Sequence, residues 1–202
     1  MKMAPSFKTS HAKQDRRVGR TRHRLVTTLR QLFQEKPLTA ITVQDVLDHS
    51  GVSRSTFYAH FDDIEDLFLT DVDEFLERVA MGLTGAGDKS ERLAPVREFF
   101  THVGDARQMR LALARSDRLL DFFELARTHF ARGIESRLAE KARTKLLPAT
   151  ERAVLAHALA GALIAQLEWW NHHRTKISAE RMDVWFHRLA WASIKAAADD
   201  QG

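Results

Sequence analysis

Apolar residues recur along this chain at intervals of three and four, the spacing that gathers side chains onto one face of an α-helix. From Arg20, the positions Leu25, Val26, Leu29, Leu32 and Phe33 predict a first helix that Pro37 closes. Thr42 begins the next. Its hydroxyl can cap the first turn, Asp45 three residues on completes a capping box, and Ile41 with Val46 occupies the staple positions. This second helix runs to about His49. Gly51 then supplies a turn in which positive φ costs nothing, and Ser53 caps a third helix reaching about His60. Phe61, Ile64, Leu67, Phe68, Val72, Phe75, Leu76 and Val79 predict a longer helix from Asp63 to Met81. Three glycines between Gly82 and Asp88 mark a soft break. Further helices are expected over Glu91–Val103, Asp105–Ala114 and Asp117–Lys145, then Thr150–His172 after Pro148, and Ala179–Ala198 capped by Ser178. No stretch alternates polar and apolar for the length of a strand. The expectation is an all-α fold of about nine helices. It divides into a flexible basic arm (1–19), a helix-turn-helix head (20–62) and a helical body (63–202).

Composition removes several chemistries. With no cysteine, disulfides, thiolate nucleophiles and Cys-ligated zinc are excluded. Met1 to Ala12 is polar and basic, unlike a secretion signal, and no run of 18 apolar residues offers a membrane span. A cytoplasmic protein without a membrane partner is expected. Charge is unevenly placed. Residues 1–60 hold 11 Lys/Arg against 4 Asp/Glu, and the remainder holds 20 against 23. A basic front on a mildly acidic body suits contact with a polyanion at one end.

The second and third helices specify that contact further. Phe57 and Phe61 lie four apart on one face, and with Val52, Val43, Val46 and Leu47 they form a small core fixing the angle between helices. The other face carries Arg54, Ser55, Thr56, Tyr58 and His60. A helix so presented can enter a major groove with its early residues at the base edges. Arg54 can fork to guanine O6 and N7, and Thr56 can bond a base edge or pack on a thymine methyl. Tyr58 and His60 are by type suited to phosphates. The Thr42 hydroxyl and the free amides of the second helix can grip a phosphate as well.

The string Thr42-Val43, Val46-Leu47, Ser50-Gly51-Val52-Ser53, Ser55-Thr56-Phe57-Tyr58-Ala59-His60-Phe61, Glu65 and Leu67 resembles the DNA-binding signature of the TetR family of transcriptional regulators. The resemblance covers about residues 20–68. It implies a homodimeric, all-helical repressor with a three-helix head, a connecting fourth helix and a ligand-binding, dimerising body. It also implies base contacts from Arg54, Ser55, Thr56 and Tyr58, and phosphate contacts from Thr42 and His60. One position departs from the family pattern. Ile64 stands where a backbone-contacting lysine is usual, flanked by Asp62, Asp63, Glu65 and Asp66. Those acids suit a helix N-terminus. Compensating attraction to the DNA backbone is expected from Arg16, Arg17, Arg20, Arg22 and Arg24.

In the body, Phe99, Val103, Met109, Phe122 and Phe123 are candidates to line a cavity for an apolar or aromatic effector, with His102, Arg107, His129 and Gln166 able to orient it. The last two helices carry small residues (Ala156, Ala158, Ala160, Gly161, Ala162, Ala165) beside Leu159, Leu163, Leu167, Trp170, Trp185 and Leu189. Such a pair can form a four-helix dimer interface with its symmetry mates or a bundle within one chain. Dimerisation would demand a roughly palindromic operator. No cofactor is implied, and no enzyme motif is present. Two other classes stay open: a helical interaction module without specific DNA binding, and a metal-dependent enzyme using His172, His173 and His187.

Overall fold

The computed structural model describes residues 8–82, 90–105, 119–141, 144, 147–173 and 177–199. Among them are eight α-helices: α1 (Lys8–Glu35), α2 (Val43–Ser50), α3 (Arg54–Tyr58), α4 (Ile64–Ala80), α5 (Val96–Asp105), α6 (Leu119–Glu140), α7 (Ala149–His172) and α8 (Ala179–Asp199), with a 3₁₀ turn at Leu38–Ala40. The fold is all-α. The helix expected at Asp105–Ala114 falls almost wholly outside the described residues.

Two compact units divide the chain within α4, one of residues 1–71 and one of 72–202. In the first, α1 packs on α2. Leu25, Val26, Leu29, Leu32, Ile41, Val46, Leu47, Phe57, Phe61, Leu67 and Phe68 form its core, all buried. Phe33 and Phe68 rings meet at 5.5 Å. Arg30 Nε donates to Asp71 Oδ1 at 2.6 Å and so ties α1 to α4 within the same unit. In the second unit α6 packs on α7, α5 on α8, and α7 on α8. Phe99, Phe100, Phe130, Ile134, Leu163, Leu167 and Phe186 lie at its centre.

Three elements depart from the sequence expectation. First, α1 starts at Lys8 rather than Arg20, so residues 8–19 are helical where a flexible arm is expected. The segment has no proline, and Lys8, Ala12, Lys13, Gln14, Arg16 and Arg17 favour a helix without supplying an apolar period. Second, α5 starts at Val96 rather than Glu91. Pro95 disfavours helical backbone at Ala94, so residues 90–95 stay irregular. Their polar backbone is satisfied by side chains. Arg137 donates to the carbonyls of Ser90 and Arg92, His187 accepts from Leu93 N–H, and Trp191 Nε1 donates to Glu91 O. Third, α6 stops at Glu140 short of Lys145, and the Thr144 hydroxyl donates to Leu138 O beyond its end. By length and composition α7 alone among the described helices could cross a membrane. Its buried face, Ala156, Leu159, Ala160, Leu163, Ile164 and Leu167, belongs instead to the packing of the second unit.

Candidate nucleic-acid interface

The α2–turn–α3 corner is fixed by local chemistry at each joint. At the start of α2 the Thr42 hydroxyl accepts from Asp45 N at 3.2 Å while the Asp45 carboxylate accepts from Thr42 N at 2.7 Å. That is the expected reciprocal capping box. Lys36 Nζ lies 2.8 Å from the same carboxylate. Lys36, and then Thr42, hold the Asp45 carboxyl well below the usual carboxylate range. At the far end Gly51 takes φ 66°, the left-handed region, and its N–H donates to Leu47 O at 2.9 Å. Ser53 then caps α3, its Oγ accepting from Thr56 N at 3.2 Å.

This corner separates two faces. Phe57 is fully buried, its ring 6.0 Å from Phe61. Arg54, Ser55 and Tyr58 are exposed, and Thr56 and His60 are half-buried. The Tyr58 ring stands edge-on to Phe57 at 5.4 Å, and His60 lies 6.3 Å from the Phe61 ring. Ser55 and Thr56 hydroxyls both lie within hydrogen-bond reach of Ser53 Oγ, at 3.2 and 2.7 Å. Thr42 is exposed, and its hydroxyl donates to Asp45 Oδ2 at 2.6 Å. On α1, Arg20 and Arg24 are exposed, whereas Arg22 is half-buried with its guanidinium 5.1 Å over the Phe61 ring. Arg17 is exposed too; the Arg16 side chain lies outside the described residues.

Two of the acids around Ile64, Asp63 and Asp66, have structural employment. Asp63 Oδ1 accepts from Asp66 N at 2.8 Å, and Asp66 Oδ2 accepts from Asp62 N at 3.1 Å, so both satisfy backbone donors at the start of α4. Ile64 itself is half-buried.

Two residues join the site that the sequence pattern does not single out. Gln44 Oε1 accepts from Arg54 Nη2 at 2.7 Å, and Gln44 Nε2 donates to Asp48 Oδ1 at 2.7 Å. The legible signal is the four-residue spacing of Gln44 and Asp48 on α2, which makes them neighbours. Their link to Arg54 crosses the turn and needs its geometry.

The body candidates are scattered in role. Phe99, Val103 and Phe122 are buried, with the Phe99 ring 4.6 Å from Phe130 and the Phe122 ring 5.5 Å from half-buried Phe123. His102 is exposed and stacked on Phe75 at 4.1 Å. Gln166 Nε2 donates to Met182 O at 3.2 Å, tying α7 to α8. His129 is buried between Asp73 Oδ1 at 2.6 Å and Arg132 Nη2 at 2.8 Å. Met109 and Arg107 lie outside the described residues.

Of the expected interface residues, Leu159, Leu163 and Leu167 are buried within the single chain, which leaves them almost no surface for a partner. Trp170 is half-buried, donating from Nε1 to Ile177 O at 2.9 Å. Trp185 and Leu189 are exposed, at 38% and 54%. The metal alternative is weakened at His187. His187 Nε2 accepts from Leu93 N and its Nδ1 lies 2.9 Å from Asp183 O, so both ring nitrogens are engaged. His172 and His173 each back-bond through Nδ1 to the carbonyl four residues before. Among the described residues no group of three or more His, Asp or Glu is placed to hold a metal ion.

Residues 25–70 match the family model of bacterial regulatory proteins, tetR family. The chain is similar in structure to a TetR transcriptional regulator from Streptococcus agalactiae 2603V, with 25% identity, 89% of this chain and 98% of that one covered, and a TM-score of 0.52. It is similar also to a putative TetR-family transcriptional regulator from Syntrophomonas wolfei str. Goettingen, at 19% identity, 87% and 95% coverage and a TM-score of 0.53. A third likeness is the TetR family repressor AlkX from Dietzia sp. strain DQ12-45-1b, implicated in biodegradation of n-alkanes. It shows 17% identity, 87% and 94% coverage and a TM-score of 0.59. Comparison with curated proteins finds no match.

Proposed function

We propose that the chain is a transcriptional regulator of the TetR type, on the match of residues 25–70 to that family's model and the likeness of its fold to TetR regulators, and that it is a cytoplasmic homodimeric repressor released from a palindromic operator by a small apolar or aromatic effector. One observation carries the DNA-reading part. On the short helix α3, Phe57 is wholly buried while Arg54, Ser55 and Tyr58 stand exposed, so the polar face is free for a major groove. Arg54, Ser55, Thr56 and Tyr58 read base edges in this proposal; Thr42, His60, Arg20, Arg22 and Arg24 meet phosphates. Thr42 keeps its capping role in this proposal.

The proposed dimer uses what α7 and α8 leave uncovered. Val154, Ala158, Gly161, Ala165 and Trp169 recur along one line of α7, and Trp185, Leu189 and Ala192 along one line of α8. All but half-buried Gly161 are exposed in the single chain. Contact between those lines in two copies would bury an apolar stripe that water otherwise covers. Two heads held in this way read two half-sites about one DNA turn apart.

For release, an effector seated among the body helices shifts the population toward a form whose two heads no longer match the half-site spacing. It can do so only by its differential affinity for the two forms. An unbiased selection of duplexes by the purified protein tests the reading. An enriched two-fold symmetric site, bound by the dimer and lost on scrambling, is the expected result. Enrichment of no sequence, with salt-sensitive binding to any duplex, would overturn it.

A further inference from the structure

Arg54 is the first residue of α3, and its guanidinium does not hang free. Nη2 donates to Gln44 Oε1 at 2.7 Å, and Gln44 Nε2 donates to Asp48 Oδ1 at 2.7 Å. The three side chains form a line from the solvent face of α2 across the turn to the groove-facing end of α3.

The chemistry of the line fixes its direction. An ionised carboxylate only accepts, and a guanidinium only donates. Between them an amide has one favourable orientation, NH₂ toward Asp48 and oxygen toward Arg54. The reverse would set the amide oxygen against the carboxylate and its NH₂ against the guanidinium. Asp48 therefore determines which atom Gln44 offers to Arg54. All three residues are exposed, so these bonds add little to folding stability. Their consequence is conformational. A long arginine side chain that must order on binding loses affinity for its target, and one already ordered does not. Because Gln44 is neutral, it orients Arg54 without cancelling its charge. One bond to Nη2 leaves further N–H donors for guanine O6 and N7.

We propose that Gln44, backed by Asp48, is a specificity-determining positioning residue that pre-orients Arg54 for guanine. The inference rests on the reading of Arg54 as a base-contacting residue, and the test separates the two. Full-length wild type, R54A, Q44M, D48A and D48N are each put through the same duplex selection. Thermal midpoints and affinity for a non-operator duplex are measured alongside. Methionine at 44 keeps length and helix propensity and lacks the acceptor. R54A should flatten the preference at one base pair of each half-site. Q44M should lower the guanine preference at that same base pair by at least about 5-fold, the lower end of what one bidentate contact discriminates. Its non-operator affinity and thermal midpoint should not move. D48A should lower that preference in part. D48N can accept from Gln44 or donate to it, so it should leave the preference between those of D48A and the wild type, although loss of the charge raises affinity for every duplex alike.

If R54A loses the preference and Q44M keeps it, the positioning role is overturned and Arg54 reads alone. If Q44M alters a base pair other than the one R54A alters, Gln44 reads its own base and positioning is again overturned. If R54A changes no preference, the base-reading role of Arg54 fails, and the inference falls with it.

Discussion

His187 Nε2 accepts the backbone N–H of Leu93 at 2.9 Å, joining positions 94 residues apart. With Nε2 as acceptor, Nδ1 is the ring's donor, and it faces Asp183 O at 2.9 Å. Arg92, Glu98 and Asp183 surround this contact, with Arg92 Nη2 at 2.5 Å from Glu98 and 2.8 Å from Asp183. The irregular stretch before α5 is thereby held to α8 without any helix or sheet of its own. His187→Ala leaves the Leu93 donor without its acceptor. The expected loss of stability is about 1–3 kcal/mol. Urea unfolding at neutral pH measures it, and an unchanged midpoint with an unchanged slope would dispose of the claim.

The same cluster gives the body an acid-sensitive component. Hydrogen bonding from Arg92 holds the Glu98 carboxyl at about 2. Burial pushes the Asp183 carboxyl up, but His187 and Arg92 outweigh it and leave that group at about 2 as well. Both folded-state values lie below those of the unfolded chain, where carboxyls titrate near about 4. As pH falls the unfolded chain binds protons first, so this stabilisation is complete above about pH 4 to 5 and disappears toward about pH 2. Arg92→Met returns both carboxyls toward ordinary behaviour. Stability of the variant at pH 7 should be lower, and its decline between about pH 5 and pH 2 shallower, than in the wild type. Parallel urea midpoints across that window would show that the cluster contributes nothing to the acid response.

Gly133 and Gly161 make a matched pair. A Cβ built on Gly133 of α6 meets the Ala80 carbonyl oxygen at 2.5 Å, a backbone atom that cannot swing aside. A Cβ on Gly161 of α7 meets nothing within 4 Å. Gly133→Ala should cost about 1–3 kcal/mol by forcing α6 away from the end of α4. Gly161→Ala should leave chain folding unharmed, since alanine favours a helix over glycine by about 1 kcal/mol. Thermal midpoints of the two variants, compared at a concentration that fixes the oligomeric state, decide the matter.

How much of the fold and site is legible in the sequence differs by residue. The capping box at Thr42 and Asp45, the turn at Gly51 and the buried Phe57 follow from local rules, because their partners lie within four residues. The start of α5 escapes a reading by period alone although Pro95 announces it; apolar spacing through Leu93 and Val96 runs past a proline unless the preceding residue is considered. The helical N-terminus of α1 escapes it as well, because Lys8 to Gly19 has no apolar face to show a period. Composition points Leu159, Leu163 and Leu167 toward an interface, yet an apolar stripe on α7 reads alike whether it faces α6 and α8 or a second copy. Only burial separates Leu163 at 0% from Leu189 at 54%. The Gln44–Arg54 and His187–Leu93 bonds depend on long-range placement, which one-dimensional spacing does not carry.

That division of α7 and α8 into covered and uncovered faces sets an oligomeric prediction. Trp185→Glu with Leu189→Glu places two charges on side chains exposed in the single chain, where they should leave the helical spectrum unchanged. In the proposed dimer they would meet their own copies across an apolar contact, where an unpaired charge is costly. Sedimentation should report a dimer for the wild type and a monomer for the double variant. Operator affinity should fall with it, because a lone head reaches one half-site. A variant that sediments as the wild type does would remove this stripe from the interface.

Arg17, Arg20 and Arg24 are exposed on α1, so in the proposed complex they are placed to supply the backbone attraction that an isoleucine at position 64 would not. Deleting residues 1–19 would cut into α1, which begins at Lys8, and would confuse loss of charge with loss of helix. Substituting these arginines singly by Gln preserves the helix. Removing one phosphate-binding arginine should reduce the slope of log affinity against log salt by about 0.9 for each subunit it serves, and should do so equally for operator and non-operator duplexes. Arg22 provides the contrast. Its guanidinium lies over the Phe61 ring, so Arg22→Gln should lower thermal stability as well as affinity. Unchanged salt slopes in all three exposed variants would mean that α1 does not touch the backbone, leaving the deficit at Ile64 uncompensated.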